Sequence, residues 1–264
     1  MPKLTDSKIP FVKTILLGDS GAGKTGALVS LVKAGYKVRI LDMDNKVATG
    51  ILPKAIMREC PDKIGNVDYE SFRDRMKASA LGPIFDGVPQ SFTKAMELLN
   101  KWTDGSVPAT WGPETVLVLD SLTFLGDAAF NWAKAMSPGV KDPRQWFYTA
   151  QKATEDVIGL LTAENMRTNV IVICHVSWSQ KTDSSGVTLT KGYPASIGKA
   201  LDNTIPAYFD NMILAQASTT VPVKRTIQTA QTSMVDLKNP ASFSMLPTLP
   251  LETGLATFFE ELRR

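Results

Sequence analysis

One short segment near the start of the chain constrains the fold more than any other. Lys13–Leu17 is a mostly apolar run typical of a buried strand, and a helical pattern begins at Lys24. The segment between them fits the phosphate-loop pattern GxxxxGK[ST]; it consists of Gly18, Asp19, Ser20, Gly21, Ala22, Gly23, Lys24 and Thr25. A strand, a glycine-rich loop and a helix in this order predict an α/β domain with a mostly parallel twisted sheet and helices on both faces.

The residue types of this loop suit phosphate binding. Glycines let the backbone turn sharply, so that its N–H groups approach phosphate oxygens, and the start of the following helix adds unpaired donors and a favourable dipole. Lys24 is expected to reach the β- and γ-phosphates, and the Thr25 hydroxyl is expected to ligate Mg²⁺. We therefore predict that Gly18–Gly26 binds a nucleotide together with Mg²⁺.

Composition narrows the class of protein further. The chain has 264 residues, is 44% hydrophobic and carries a formal net charge of +3. This charge permits a nucleic-acid partner but does not argue for one. No signal peptide and no apolar run long enough to span a bilayer occur, so no membrane association is expected. Two cysteines, Cys60 and Cys174, form no disulfide framework, which favours a cytoplasmic location.

Acidic residues follow two further apolar segments. Lys37–Leu41 reads as a strand and leads into Asp42 and Asp44, while Thr115–Leu119 leads into Asp120. In open α/β sheets, ligands bind beyond the carboxyl ends of the strands. Asp44 then either polarises the attacking water or belongs to a solvated strand end. Asp120 is expected to bind Mg²⁺, commonly through water.

A third apolar segment, Asn169–Val176, contains the single histidine of the chain, His175. At the carboxyl end of a strand, His175 is either a polar sensor of the γ-phosphate or a hydrogen-bonded core residue. No second histidine or cysteine stands nearby at metal-ligand spacing, so a zinc site is not expected.

The segment Ser177–Lys199 follows this strand; it is polar and contains Gly186, Gly192 and Gly198. A long loop without secondary structure is often functional, and lysines with aromatic side chains suit a single strand of nucleic acid. An ordinary flexible loop is the alternative. The candidate DNA-contacting residues are Trp178, Lys181, Lys191, Tyr193 and Lys199.

The remaining segments are read from hydrophobic periodicity and from turn residues. Met1–Pro10 reads as a polar lead-in. Predicted helices are Ser91–Trp102, Leu125–Met136, Gln145–Asn165 and Leu251–Arg264. Predicted strands are Val67–Phe72, Asn211–Ala217 and a closing β pair formed by Lys224–Ala230 and Ser233–Leu237.

The order of these motifs resembles a known family. Along the chain come GDSGAGKT, LDMD, VLVLDS, VICHV and GYPASIGKALDNTIPAYFDNMIL. Together they are similar to the RecA-like ATPase core, and more narrowly to the minimal phage form known as phage nucleotide-binding proteins, which act as single-strand annealing recombinases. The resemblance implies one RecA-like domain over 1–264, with a core of about 13–238 and a C-terminal extension of 239–264. It also implies that the His175 strand lies between the phosphate-loop strand and the Asp120 strand.

The resemblance implies roles for individual residues. Lys24 would contact phosphate and Asp120 would belong to the metal site. Asp44 stands where relatives carry a catalytic carboxylate that is usually a glutamate, one methylene longer, and His175 stands where larger relatives carry a glutamine sensor. ATP would lie between subunits, and a basic residue of the neighbour would complete the site. The candidates for this residue are Lys224, Arg225 and Lys238.

The function implied by the resemblance is ATP-dependent binding and annealing of single-stranded DNA, with slow hydrolysis and self-association into a ring or filament. Neither an added N-terminal oligomerisation helix nor a duplex-binding domain is expected, which favours annealing over homology search. A single-strand-binding protein is a further expected partner, and the host cytoplasm is the expected location of a phage-encoded protein. The alternative is a nucleotide-dependent switch or assembly ATPase acting on a protein partner. A small-molecule kinase fits the carboxylates and the sensor less well.

Overall fold

The fold is built around one large sheet that begins with the strand before the phosphate loop. The computed structural model describes residues 11–182 and 185–264, apart from the side chain of Lys181, so the predicted lead-in Met1–Pro10 lies outside it. The strands are β1 (Lys13–Leu17), β2 (Lys37–Asp42), β3 (Val67–Ser71), β4 (Met76–Ser79), β5 (Gly82–Phe85), β6 (Gly112–Asp120), β7 (Thr168–Cys174), β8 (Val176–Thr182), β9 (Thr188–Pro194), β10 (Asn211–Ala217), β11 (Arg225–Gln228) and β12 (Thr248–Pro250).

Helices cover both faces of this sheet. They are α1 (Lys24–Ala27), α2 (Val29–Lys33), α3 (Ile51–Glu59), α4 (Ser91–Asn100), α5 (Leu122–Met136), α6 (Pro143–Thr162) and α7 (Leu251–Arg263). Apolar residues of α4, α5 and α6 pack on one face of the sheet, and those of α1, α2, α3 and α7 pack on the other. Side chains alternate between the faces of a strand, so Leu17 contributes to the first cluster and Leu16 to the second. The prediction of an α/β domain covered on both faces is confirmed.

Strand order brings the predicted site residues to one edge of the sheet. Among the described residues, eight strands pair in the order β12-β11-β10-β1-β7-β6-β2-β3. The six strands from β10 to β3 are parallel. Strand β7 lies between β1 and β6, which confirms the predicted position of the His175 strand. In register, Asp42 pairs with Asp120 and Leu17 with Cys174, so the residues that follow β1, β2, β6 and β7 meet at one edge.

The predicted β pair near the C-terminus exists, but its second strand is different. Strand β11 pairs antiparallel with β10 and with β12, so Thr248–Pro250 takes the place predicted for Ser233–Leu237. Around that predicted segment the pairing is limited to isolated bridges, at Val235 and at Lys238. Val235 and Leu237 are buried, and their alternating apolar pattern therefore reflects packing against the body rather than a strand of the sheet.

The prediction of a structureless loop over Ser177–Lys199 is wrong. Strands β8 and β9 form an antiparallel hairpin, with Trp178 opposite Gly192. Its strands carry only short apolar alternations, at Val176 and Trp178 and at Val187 and Leu189, among many polar residues, and cross-strand pairing provides its regular structure. A second hairpin, formed by β4 and β5, was not predicted.

The predicted helices are present with shifted ends. Helix α5 starts at Leu122 rather than Leu125, and α6 covers Pro143–Thr162 rather than Gln145–Asn165. Helix α4 ends at Asn100, before the predicted end at Trp102. The C-terminal helix α7 packs on α2 and buries Leu255, Phe258 and Phe259 completely. Helix α7 is therefore part of the hydrophobic core.

Candidate active site

The phosphate loop occupies the turn between β1 and α1. Gly23 has a positive φ of 96° and directly precedes the helix, a conformation that L-residues with a side chain rarely adopt. At Gly18, a Cβ atom would lie 2.8 Å from the carbonyl oxygen of Ala215 on β10. Backbone conformation and space thus require glycine at these two positions, which is why the motif carries them there.

Lys24 is held inside the loop. Its Nζ donates hydrogen bonds to the carbonyl oxygens of Gly18 at 2.7 Å and Asp19 at 3.0 Å, and the residue is only 8% exposed. Burial lowers the pKa of this ammonium, while the Asp120 carboxylate opposes the shift. A positive charge is therefore fixed at the mouth of the loop, where a phosphate group would contact it.

Asp120 lies beside the start of α1. The Thr25 hydroxyl donates a hydrogen bond to Asp120 Oδ2 at 2.7 Å, and Asp120 is buried. Burial raises the pKa of Asp120 from 3.8 to about 7, an effect that the Thr25 hydrogen bond opposes and the Asp44 charge strengthens. An oxygen-rich pair of this kind suits Mg²⁺, which binds through few protein oxygens and keeps waters and phosphates as its other ligands.

The two other predicted catalytic residues lie on the same side of the sheet. Asp44 Oδ1 accepts a hydrogen bond from the Ser121 hydroxyl at 2.9 Å. His175 Nδ1 lies 3.4 Å from the Thr123 hydroxyl. Burial, followed by the charge of Lys24, lowers the pKa of His175, which favours the neutral imidazole. Asp42 is different: it is completely buried and accepts the backbone N–H groups of residues 46 and 47, a structural role.

These residues surround one cavity of about 540 Å³. Lys24, Thr25, Asp44, Asp120 and His175 line it together, as do Ser20, Gly21, Gly23 and Gly26 of the predicted loop. The other three predicted loop residues do not: Ala22 is buried in the core, Gly18 is buried against β10, and Asp19 lines a neighbouring cavity.

Several lining residues were missed by sequence reasoning. Lys46 follows the LDMD motif directly and could have been found from its position after β2. Ile51, Arg58 and Glu59 come from α3, and Glu252 comes from the start of α7. Nothing in the sequence pattern connects these segments with the loop, because tertiary packing alone brings them there.

The three candidate residues for completing a neighbour's site have different surroundings. Arg225 lines the cavity of its own chain, and its Nε donates a hydrogen bond to the Gly21 carbonyl at 3.2 Å. Lys224 is exposed next to it. The Lys238 ammonium donates to the carbonyl oxygens of Pro206 and Phe209, beside the N-terminal end of β10 and thus at the opposite edge of the sheet.

The predicted DNA-contacting residues are divided between the two faces of the β8–β9 hairpin. Trp178 is 43% exposed, and its indole N–H donates to Asp19 Oδ1 of the phosphate loop at 3.3 Å. Lys191 and Tyr193 belong to the opposite face by register, and Lys191 forms an ion pair with Asp236 at 2.6 Å. Lys199 is exposed beyond the hairpin. Lys181 belongs to β8, and its side chain lies outside the described residues.

The parallel sheet, the phosphate loop and the buried Asp120 beside Thr25 define a P-loop nucleotide-binding ATPase domain. The chain belongs to the family described as AAA domain, whose model matches residues 11–241. A comparison with curated protein sequences found no significant match.

Two solved structures match this chain, both with TM-scores below 0.5. The structure described as the RadB recombinase has a TM-score of 0.43 and 16% identity, over 85% of this chain and 83% of that chain. An ATPase from the type III secretion system of pathogenic bacteria has a TM-score of 0.44 and 11% identity, over 78% of this chain and 52% of that chain. Identities this low carry no information about substrate or partner.

Two further observations concern membrane-spanning helices and the state of the cysteines. Within residues 11–182 and 185–264, no helix has the length and hydropathy needed to span a bilayer. Cys60 and Cys174 are both free and buried. Burial raises the pKa of Cys174 to about 12, so this thiol is chemically inert in the folded protein.

Proposed function

We propose that this chain is an ATP-dependent single-stranded DNA binding and annealing protein of phage type, acting in recombination. One observation carries the proposal: the cavity residues that suit ATP hydrolysis are connected directly to the β8–β9 hairpin. His175 is the single residue between β7 and β8, Val176 begins the hairpin, and the Trp178 indole donates a hydrogen bond back to Asp19 of the phosphate loop. A change at the γ-phosphate position therefore has a short covalent and hydrogen-bonded route to the candidate DNA-contacting element.

The contacts support the catalytic roles that we propose. Lys24 holds the phosphates, and Asp44, oriented by Ser121, activates the attacking water. His175 senses the γ-phosphate. Thr25 and Asp120 would hold Mg²⁺, which when bound neutralises developing charge on the phosphates. Hydrolysis is slow in this proposal, because Asp44 is one methylene shorter than the glutamate of relatives.

Self-association belongs to the same proposal. Ile51 lines the cavity and is 58% exposed, which is an apolar surface that a neighbouring subunit would cover in a ring or filament. A basic residue of that neighbour, from among Lys224, Arg225 and Lys238, would then complete the site. A single-strand-binding protein is a further proposed partner. The free cysteines are consistent with the cytoplasm of the host cell as the proposed location.

The test is the rate of ATP hydrolysis with and without single-stranded DNA, at low salt and over a range of protein concentrations. We expect DNA to stimulate the rate steeply with protein concentration, because assembly on the strand would build the complete site. Lys24→Ala is the control for contaminating ATPases and should abolish the stimulated rate. Unchanged turnover in Lys24→Ala, or a wild-type rate indifferent to DNA, would contradict the proposal.

One observation favours a second candidate function, a nucleotide-dependent switch or assembly ATPase acting on a protein partner. The β8–β9 hairpin exposes Leu189 by 57% and Val187 by 52%, and Lys191 is already paired with Asp236. Apolar exposure suits a protein surface better than a phosphate backbone.

Charge neutralisation on the hairpin separates the two functions. DNA contact predicts that changing Lys181, Lys191 and Lys199 to glutamine reduces the salt dependence of DNA binding. The matched control is Lys77→Gln on the β4–β5 hairpin, since Lys77 is also exposed and also paired with an aspartate, Asp86. An unchanged salt dependence would favour the protein-partner function.

A further inference from the structure

The position of Arg225 is determined by the register of three strands. Leu17 at the end of β1 pairs with Leu214 on β10, and Ala217 at the end of β10 pairs with Arg225 at the start of β11. Because β11 runs antiparallel to β10, its first residue lies at the sheet edge where the phosphate loop begins. A regular strand therefore presents Arg225 to the loop of its own chain.

Direct contacts hold the side chain there. Arg225 Nε donates to the Gly21 carbonyl at 3.2 Å, and a Cβ atom on Gly23 would lie only 2.8 Å from Arg225 Cδ. The stem of the arginine thus packs against the loop backbone. Arg225 lines the same cavity as Lys24 and Thr25.

The outer part of the guanidinium has no assigned role in the fold. Within the described part of the chain, the two Nη atoms of Arg225 have no hydrogen-bond partner, and no ion pair includes this residue. A guanidinium with two available N–H-bearing nitrogens matches the geometry of phosphate oxygens and binds them bidentately. The anchored Nε reduces the conformational entropy that such binding would cost.

We infer that Arg225 binds the phosphates of the nucleotide held by its own subunit, as a second cation in cis beside Lys24, and does not complete the site of a neighbour. The inference rests on nucleotide binding as proposed above, and it adds which subunit's nucleotide the Arg225 guanidinium contacts. It leaves Lys224 and Lys238 as the candidates for a contribution in trans.

Nucleotide affinity at low protein concentration is the first test. Fluorescence anisotropy of a labelled, non-hydrolysable ATP analogue with Mg²⁺ is measured for wild type, Arg225→Ala, Arg225→Lys and Lys24→Ala, at concentrations where light scattering shows monomers. A lost charge-assisted hydrogen bond is expected to weaken binding by about tenfold or more in Arg225→Ala, and less in Arg225→Lys. Arg144→Ala is the matched control: it removes an exposed arginine with one ion pair, to Asp142, and should bind like wild type.

Mixing Lys24→Ala with Arg225→Ala, at an ATP concentration too low for Arg225→Ala alone to show activity, is the second test. If Arg225 acted in trans, random assembly of Lys24→Ala with Arg225→Ala would restore both residues at about a quarter of the interfaces, since a head-to-tail interface takes one residue from each subunit. If Arg225 acts in cis, mixing restores no complete site, because every subunit still lacks either Lys24 or Arg225. We therefore expect no recovery of ATPase activity at any mixing ratio.

The outcomes are distinct. Wild-type affinity in Arg225→Ala monomers, or recovered activity in the mixture, overturns the cis assignment and leaves the proposed function intact. Absence of nucleotide binding by the wild type overturns the proposed function and the assignment together. Thermal unfolding of each variant shows whether a loss of nucleotide affinity or ATPase activity reflects misfolding. Misfolding is not expected in the Arg225 variants, because Arg225 is exposed.

Discussion

Replacing Asp120 with asparagine should separate activity from stability in this protein. Asp120 is 5% exposed and accepts a hydrogen bond from Thr25. Its pKa is raised from 3.8 to about 7 by burial; at 1.36 kcal/mol for each pKa unit, folding with an ionised carboxylate costs about 4 kcal/mol at pH 8. Asparagine keeps the shape and the acceptor without the charge. Asp120→Asn should therefore raise the free energy of unfolding at pH 8 by up to about 4 kcal/mol while abolishing ATP hydrolysis.

The gain depends on pH in a definite direction. A carboxyl group with a raised pKa in the folded state favours folding fully below pH 3.8, and that contribution is lost as pH rises through 7. The advantage of Asp120→Asn is thus small near pH 4, about 2 kcal/mol at pH 5, and largest above pH 7.

Urea denaturation in EDTA without nucleotide, at pH 5 and pH 8, measures this difference. Asp156→Asn is the control, because Asp156 is exposed and forms an ion pair with Lys152 at the surface; it should change stability little at either pH. If Asp120→Asn were less stable than wild type at pH 8, or if its gain were equal at both pH values, the reasoning would be refuted.

Three further predictions concern other residues. His175→Gln should keep most of the DNA-stimulated ATPase rate, because a neutral amide replaces a neutral imidazole. His175→Ala should lower the rate of phosphate release by about tenfold or more. Equal rates for both variants would contradict a sensor role. Phe259→Ala should lower the free energy of unfolding by about 3–5 kcal/mol, since Phe259 is completely buried. The control Phe243→Ala, at a residue 90% exposed, should have little effect. Equal unfolding midpoints of the two variants in urea would argue against the packing of α7. Cys174 should resist iodoacetamide at pH 8 in the folded protein and react in 6 M urea, and mass spectrometry showing its alkylation without urea would contradict its burial.

Local sequence patterns predicted the parallel core and the phosphate-binding end of the site. The strand Lys13–Leu17 was predicted with its observed bounds, and Asp44, Asp120 and His175 were predicted to lie near the loop. These predictions succeeded because buried parallel strands are short apolar runs, and because the carboxyl ends of neighbouring parallel strands share one edge.

Patterns failed where long-range contacts determine the structure. The β8–β9 hairpin was missed because its apolar alternation is short, while its register is set by cross-strand pairing and by the contact of Trp178 with the phosphate loop. Ser233–Leu237 carries the alternation of a strand, yet Thr248–Pro250 pairs with β11 in its place. Sequence reasoning identifies apolar alternation but cannot identify the surface against which the apolar side chains pack.

The sequence by itself determined that this chain binds nucleotide phosphates, since GDSGAGKT combines backbone freedom, a lysine and a hydroxyl within one turn. It also determined the buried strands and thereby the α/β class. Only the tertiary structure decided that α7 belongs to the core and that Trp178 contacts Asp19. It also decided that Arg225, although exposed, contacts the phosphate loop of its own chain. The physical reason is distance along the chain: Gly21 and Arg225 are 204 positions apart, and only the pairing of β1, β10 and β11 brings them together.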